Sequence, residues 1–335
     1  MKKRLALALI SGGLDSSLAA YIIAQNHNVD VIGYFFSHPF TPGIGDDYLL
    51  PAEKAARQIG IPLIIDSDSM AFIDMVKSPF YGTGKGVNPC RDCRIFILQR
   101  AKRVLEKMGG DFLVTGEVVG QRPMSQLKNS INLIAKRSGA KEIIVRPLSA
   151  KLLKPSLPEE KGWINREDLY GLASRNRTPQ IAMAKEFGID NYPAPAGGCP
   201  LTEPSYGVKF ADLVEHKSNL DYIDVEALSI GRHFRLQDGS KLIVARNERE
   251  SDWIFDRLMG KYTVLFSQKI LGPVGALQDY HDKSSIRTAA GLTLGYGKTR
   301  EYPEIVIRVF HPDGSTENMA VKPLNKDAFR KYLLI

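Results

Sequence analysis

The chain is poor in cysteine, tryptophan and histidine, and it has no long apolar run. Its 335 residues hold 3 Cys, 2 Trp and 6 His, too few thiols for a disulfide framework and an odd number that leaves at least one free. Two of the three form Cys90-Arg-Asp-Cys93, which in a reducing compartment points to metal or sulfur chemistry. No stretch approaches the ~20 apolar residues that a helical bilayer span requires. The basic start Met1-Lys-Lys-Arg4 leads into only a short apolar stretch, residues 5–10, with no cleavage-like segment after it. That stretch therefore reads as a first buried strand, and the expected location is cytoplasmic, with no membrane partner. Internal repeats and low-complexity tracts are also absent. With 44% hydrophobic and 24% charged residues, the composition excludes disordered and fibrous classes, and the length allows two or three domains.

The net charge of +8 is unevenly spread. Residues 1–76 carry 5 Lys/Arg against 8 Asp/Glu, residues 77–207 carry 21 against 12, and residues 208–335 carry 19 against 17. The excess sits in the middle third, where it can attract a polyanion such as RNA; a solvated basic face without a partner accounts for the charge equally well.

Apolar runs at residues 5–10, 29–36, 62–65, 112–115 and 143–148 read as strands, and residues 16–25, 51–59 and 94–108 as helices. Strands alternating with helices predict an α/β fold with a doubly wound parallel sheet, whose ligands lie at the carboxyl ends of the strands. Residues 151–162, rich in Pro and Lys, break the pattern; residues 166–174 and 181–187 again look helical. Ala194-Pro-Ala-Gly-Gly-Cys-Pro200 reads as a stiff, turn-rich loop carrying the third cysteine. From about Tyr206 short β-like runs at 233–236, 242–245, 262–266 and 305–310, separated by turn signals, predict a smaller α+β module with hairpins. The expected division is a catalytic domain at 1–205 and a second module at 206–335.

Ser11-Gly-Gly-Leu-Asp-Ser-Ser17 lies between the first strand and the first helix. Gly12 and Gly13 let the backbone bend so that its N–H groups and the helix N-terminus face one anion, and Ser16 and Ser17 can add hydroxyl donors. The loop lacks the Gly-Lys-Ser/Thr ending of common nucleoside-triphosphatases, which argues against terminal-phosphate transfer on that plan. A Ser/Gly-rich turn that merely caps a helix is the plainer alternative.

The loop resembles the Ser-Gly-Gly-x-Asp-Ser signature of the PP-loop ATP pyrophosphatase superfamily. That resemblance implies adenylation: the loop residues Ser11, Gly12, Gly13, Asp15, Ser16 and Ser17 hold the pyrophosphate of ATP while a substrate oxygen takes the AMP. It further implies that Asp15 contributes to a Mg2+ and pyrophosphate site, and that residues 34–37, Phe36 among them, line the adenine. Thr115-Gly-Glu-Val-Val-Gly-Gln-Arg-Pro-Met-Ser-Gln126 resembles a segment of tRNA 4-thiouridine synthetases, and so do Arg146-Pro-Leu148 and the downstream Lys151. Asn88-Pro-Cys-x-x-Cys93 instead resembles the tRNA 2-thiouridylases. Both imply tRNA thiolation and disagree about the base. Gly116, Gln121, Ser125, Gln126 and Lys151 become candidates to orient nucleotide or substrate, with a surface lysine the plainer reading of Lys151. No RNA-binding domain precedes the loop here and no rhodanese-like domain follows, so RNA capture is expected elsewhere. Gly231-Arg-His-Phe-Arg235 and Val244-Ala-Arg-Asn-Glu248 resemble a small RNA-binding module of ribosome-associated proteins, against which a packing or dimerisation domain is the alternative.

Cys90 and Cys93, at the start of the 94–108 helix, can point to one side and be held as thiolates by the helix dipole, Arg91 and Arg94, with Cys199 as a third ligand. Three thiolates without a fourth suit a 4Fe-4S cluster with one open iron better than structural zinc. A persulfide route through Cys90 and Cys199, with Cys93 spare, and inert or zinc-binding cysteines stay open. His38, after the second strand, is a residue that can approach the site or simply pack. The expected function is an ATP-dependent tRNA sulfurtransferase, with Asp15, Cys90 and Cys199 central to the chemistry and sulfide or a cysteine-desulfurase relay as sulfur donor. An adenylating enzyme for a small molecule, a non-catalytic RNA adaptor and a homodimer are the further possibilities.

Overall fold

The computed structural model describes residues 3–41, 50–193, 199–280 and 282–334. These divide into two compact units, Met1–Thr202 and Glu203–Ile335.

In the first unit, strand β1 (Arg4–Leu9) is followed by helix α1 (Leu14–Ala24), β2 (Val29–Ser37), α2 (Pro51–Ile59), β3 (Leu63–Ser67), α3 (Ser69–Lys77), α4 (Cys90–Lys107), β4 (Phe112–Val114), α5 (Lys128–Arg137) and β5 (Ile144–Val145). A short α6 (Leu157–Glu160) and α7 (Thr178–Glu186) complete it. All strand pairs are parallel and the order is β3-β2-β1-β4-β5. This is the doubly wound sheet expected from the alternation of elements. Successive residues of β1 face opposite layers: Ala6 and Ala8 join Leu14, Leu18 and Ala19 of α1 in one buried cluster, and Leu7 and Leu9 turn the other way. The chain order reverses between β1 and β4, so the loops leaving these two adjacent strands open onto the crevice where doubly wound sheets bind ligands.

Three local expectations need correction. Residues 166–174 are not a helix but one 3-10 turn, Arg166–Asp168, and an extended run. Tyr170 and Leu172 donate their N–H groups to the carbonyls of Pro147 and Leu148, which competes successfully with helical pairing. The strand expected at 143–148 is only Ile144–Val145, because Pro147 has no N–H to donate and Arg146 turns to a buried carboxylate. The helix expected at 94–108 begins at Cys90, so both cysteines lie on it. The stiff loop expected at 194–200 lies outside the described residues at 194–198.

The second unit holds α8 (Pro204–His216), α9 (Tyr222–Glu226), β6 (Arg232–Arg235), β7 (Lys241–Val244), α10 (Glu248–Leu258), β8 (Thr263–Ser267), β9 (Gly275–Gln278), α11 (Lys283–Leu294), β10 (Ile305–Phe310), β11 (Thr316–Val321), α12 (Lys326–Tyr332) and β12 (Leu333–Leu334). Its seven strands form one antiparallel sheet, β11-β10-β8-β9-β7-β6-β12. Leu242 and Val244 pack with Ile286 and Ala289 of α11, whereas Ile243 packs with Ile254 and Leu258 of α10. Both faces of the central sheet are therefore covered.

Candidate functional site

The turn after β1 is set by close approach. Gly12 has φ +79°, and a Cβ there would meet the Pro51 carbonyl carbon at 2.2 Å, so the start of α2 presses on the loop at a point only glycine tolerates. Gly13 is the N-cap of α1, and no side chain caps the helix. Its first N–H groups are left for a ligand, the arrangement that receives an anion at a helix N-terminus. The Ser11 hydroxyl lies 3.2 Å from that of Ser16. Ser16 and Ser17 both donate to the Gly13 carbonyl, at 2.8 and 3.1 Å, so their protons brace the turn and are not aimed outward as the sequence led one to expect.

Gly116, just past β4, lies against this turn: a Cβ there would meet the Asp15 carbonyl carbon and oxygen, each at 2.5 Å. The loop that follows reaches back into the site. Gln121 Nε2 donates to Asp15 Oδ2 at 2.5 Å, and Gln180 of α7 donates to Gln121 Oε1 at 3.1 Å, which fixes the amide so that its N–H faces the carboxylate. Arg177, the N-cap of α7, donates to the same Asp15 Oδ2 at 3.0 Å. The other oxygen, Asp15 Oδ1, is buried without a hydrogen-bond partner among the described residues. A buried carboxylate oxygen left open beside a phosphate-type turn fits a hard cation such as Mg2+. Sequence reading missed Arg177 and Gln180; Arg177-Thr-Pro-Gln180 carries a helix-start signal in its Thr-Pro, but nothing local says that this helix start meets a loop 162 residues earlier.

The same loop ends at the cysteines. Asn88 Nδ2 lies 3.2 Å from Cys90 Sγ and 3.4 Å from Met124 Sδ, and Arg91 Nε donates to the Met124 carbonyl at 3.2 Å. Val87 N–H donates to the Leu201 carbonyl at 3.0 Å, which brings the chain just after Cys199 onto the loop before α4. Residues 115–126 therefore join the turn at residues 11–17, through Gln121, to the Cys90 end of α4, through Met124.

Cys90, Cys93 and Cys199 are all half-buried free thiols. Burial pushes the Cys93 thiol up to about 12; Arg94 opposes the rise, and Cys199 and Cys90 add to it. Burial raises Cys199 as well. The helix dipole and nearby arginines do not hold Cys93 as a thiolate as expected, because desolvation of the charge outweighs them. Among the described residues no three His, Cys, Asp or Glu side chains stand close enough to hold a metal ion. The three cysteines fit a cluster in donor type and neighbourhood, not in ligand distance.

A buried ion triad fastens this region. Glu117 is fully buried, accepts from Thr115 Oγ1 at 3.0 Å and from Arg146 Nε at 2.8 Å, and faces Arg94 of α4 at 3.2 Å. Burial alone would raise its carboxyl, but Arg146 and then Arg94 hold it down to about 2. With an ordinary value of 4.5, this depressed group contributes stability that is complete above pH 4.5 and is lost as pH falls through about 2. Glu117→Gln should therefore lower unfolding free energy by about 3–5 kcal/mol at pH 7, by leaving two arginines facing no charge. The deficit against wild type should shrink in urea titrations carried from pH 7 to pH 3, and equal stability of the two proteins at pH 7 would refute this account.

The remaining candidates make other contacts. Ser125 and Gln126 are buried in the loop, and Gln126 Oε1 has no partner among the described residues. Lys151 turns to the Glu167 carbonyl and carboxylate, at 3.0 and 3.3 Å, an exposed pairing in line with the plainer reading. Phe36 is buried against Phe72 and Phe96, so its ring belongs to an aromatic cluster. His38 stacks on Phe72 at 4.4 Å, and burial lowers it to about 4, which keeps it neutral at pH 7. In the second unit Phe234 and His233 are buried, Arg235 grips Asp212 with two nitrogens, and Arg246 pairs with Glu250. The strings that resemble an RNA-binding module thus hold the fold together.

Residues 2–151 match the family described as Thiamine biosynthesis protein (ThiI), and residues 231–333 match the NFACT protein RNA binding domain. The tRNA-specific 2-thiouridylase MnmA of Syntrophotalea carbinolica is 34% identical over 122 residues, 34% of this chain and 35% of that protein. The probable tRNA sulfurtransferase of Alkaliphilus metalliredigens is 32% identical over 124 residues, 35% of this chain and 29% of that protein. The chain thus spans about a third of the length of these curated relatives. Among solved structures, a 4-thiouridine synthetase–RNA complex with bound ATP aligns at a TM-score of 0.38 and 21% identity, over 56% of this chain and 41% of that one. Residues 2–151 are accordingly similar to the ThiI family, and residues 231–333 of the same polypeptide to the NFACT RNA binding domain.

Proposed function

We propose that the chain is an ATP-dependent tRNA sulfurtransferase that adenylates a uridine carbonyl and replaces its oxygen with sulfur. The observation that carries this reading is the 115–126 segment, which bonds Asp15 of the phosphate turn at one end and meets Asn88 and Arg91, beside Cys90, at the other. Activation and sulfur delivery need adjacent sites, since an activated carbonyl that had to travel would meet water first.

The α1 N-terminus and the Gly12–Gly13 turn hold the β and γ phosphates, with Arg177 beside Asp15 to balance the charge of departing pyrophosphate. Asp15 Oδ1 would hold Mg2+, which supplies charge neutralisation at the phosphates. The uridine oxygen attacks the α phosphorus, the bond to the bridging oxygen breaks, and pyrophosphate leaves. Sulfide then adds to the activated carbon, loses its proton, and expels AMP with the original oxygen; the exchange needs no oxidant. Cys90, Cys93 and Cys199 would hold a 4Fe-4S cluster, which when bound offers one iron without a protein ligand to carry sulfide. The sulfur donor is sulfide or a cysteine-desulfurase relay, and RNA capture is assigned to the NFACT-type module and the basic middle third.

Incubation of the purified protein with ATP, sulfide and bulk tRNA should yield AMP and pyrophosphate in amounts that rise with tRNA, together with a thionucleoside detectable by mass spectrometry. Formation of ADP alone would sink the adenylation reading. AMP formation that tRNA leaves unchanged but a small amide acceptor stimulates would move the enzyme to a small-molecule substrate.

A further inference from the structure

A cavity of about 310 Å³ lies along α4, and none of residues 11–17 lines it. Its walls include Met75 of α3, Phe80 and Tyr81 of the loop before α4, Asp92 and Phe96 of α4, and Arg137 at the end of α5. Phe80 is 80% exposed, a large cost in unburied apolar surface for a residue that packs edge-on against Tyr81 at 4.8 Å. The loop does not hang free. Asp92 accepts the N–H groups of Phe80 and Tyr81, at 3.0 and 3.1 Å, and so fixes the backbone that carries both rings.

The surroundings are cationic. Arg137 enters no ion pair among the described residues, and neither does Arg103. By register Arg103 stands one helical turn after Gln99, which also lines the cavity. The acids set against them are Asp92 in the wall, whose oxygens accept the two loop N–H groups, and Asp74 on α3. An exposed phenylalanine packed on a half-buried tyrosine, with an unpaired guanidinium in the same cavity wall, is the chemistry that takes an unstacked nucleobase and its phosphate. A protein partner would demand a wider apolar surface than one exposed phenylalanine.

We infer that the Phe80–Tyr81–Arg137 cavity receives an unpaired nucleobase of the RNA substrate, as an anchoring contact separate from the reacting uridine. The inference rests on the tRNA reading above and adds a place on the molecule to it. Asp92 lies between Cys90 and Cys93, but residues of one helix diverge by about 100° each, so the cavity and the thiols occupy different faces of the same turn. A base held here would fix the RNA relative to the cysteines without entering the chemistry.

The test uses the full chain and bulk tRNA. Phe80→Ala should weaken tRNA binding about 10-fold, Phe80→Trp should bind at least as tightly as wild type, and Arg137→Gln should reduce the salt dependence of binding by roughly one ion. Because Phe80 is exposed, an unchanged thermal midpoint of Phe80→Ala would confirm that the fold is not at issue. If Phe80→Ala binds and thiolates tRNA like wild type, the anchoring site is wrong while the sulfurtransferase reading stands. If the substitution alters only the oligomeric state, the patch belongs to a second copy and the inference is overturned. Wild-type protein without affinity for tRNA would remove both readings together.

Discussion

Asp15→Asn should lower AMP and pyrophosphate formation about 10³-fold while leaving the fold intact. The expectation follows from how the two carboxylate oxygens are used. Oδ2 receives two donors, Gln121 Nε2 and Arg177 Nη2, whereas Oδ1 is buried and open. An asparagine must turn its carbonyl to those donors, because its amide nitrogen cannot accept from them. The NH2 group then occupies the open position. A cation site thus loses a negative charge and gains a donor pointed at the cation, and the site fails twice from one isosteric change. Initial rates of pyrophosphate release, with melting measured on the same sample, would check this. An Asp15→Asn variant that still makes AMP at the wild-type rate would show that Asp15 serves only to brace the turn.

The second large effect is expected at the cysteine that a relay does not need. Cys93→Ala should abolish thionucleoside formation and the iron and sulfide content of anaerobically purified protein, yet keep AMP formation. Cys90 and Cys93 stand three residues apart on α4, one above the other on a helix, and the Val87–Leu201 hydrogen bond brings the segment after Cys199 to the loop just before them. A cluster with three protein ligands fails when any one is removed. A persulfide passed between Cys90 and Cys199 would ignore the third thiol, so colourless wild-type protein whose Cys93→Ala variant still thiolates tRNA would assign the chemistry to the relay. Retained AMP formation matters equally, since the Cys93 substitution touches neither Asp15 nor Gln121.

Much of the first unit was readable because its signals are local. A continuous apolar strand, two glycines and an apolar-faced helix state their own conformation, and the parallel sheet follows from their alternation. Gly12 and Gly116 were legible as glycines, but the reasons they cannot be anything else, Pro51 against one and Asp15 against the other, were not. Residues 166–174 were misread for the opposite reason. Their helical pattern is weak, and the carbonyls of Pro147 and Leu148 offered their N–H groups better partners than a further helical turn. In the second unit the strings around Arg235 and Arg246 were legible as resembling an RNA-binding module, but that the buried carboxylates of Asp212 and Glu250 claim both arginines was not.

The sequence by itself determined the glycine turn between the first strand and helix, the three thiols and the alternation of strands and helices, since each depends on residues within one or two turns of chain. Only the tertiary structure decided that Gln121, Arg177 and Gln180 converge on Asp15, that Glu117 binds Arg94 to Arg146, and that Phe80 stands exposed beside an unpaired arginine. Those outcomes are set by packing between elements distant in the chain, where burial and the pairing of charges outweigh any local preference.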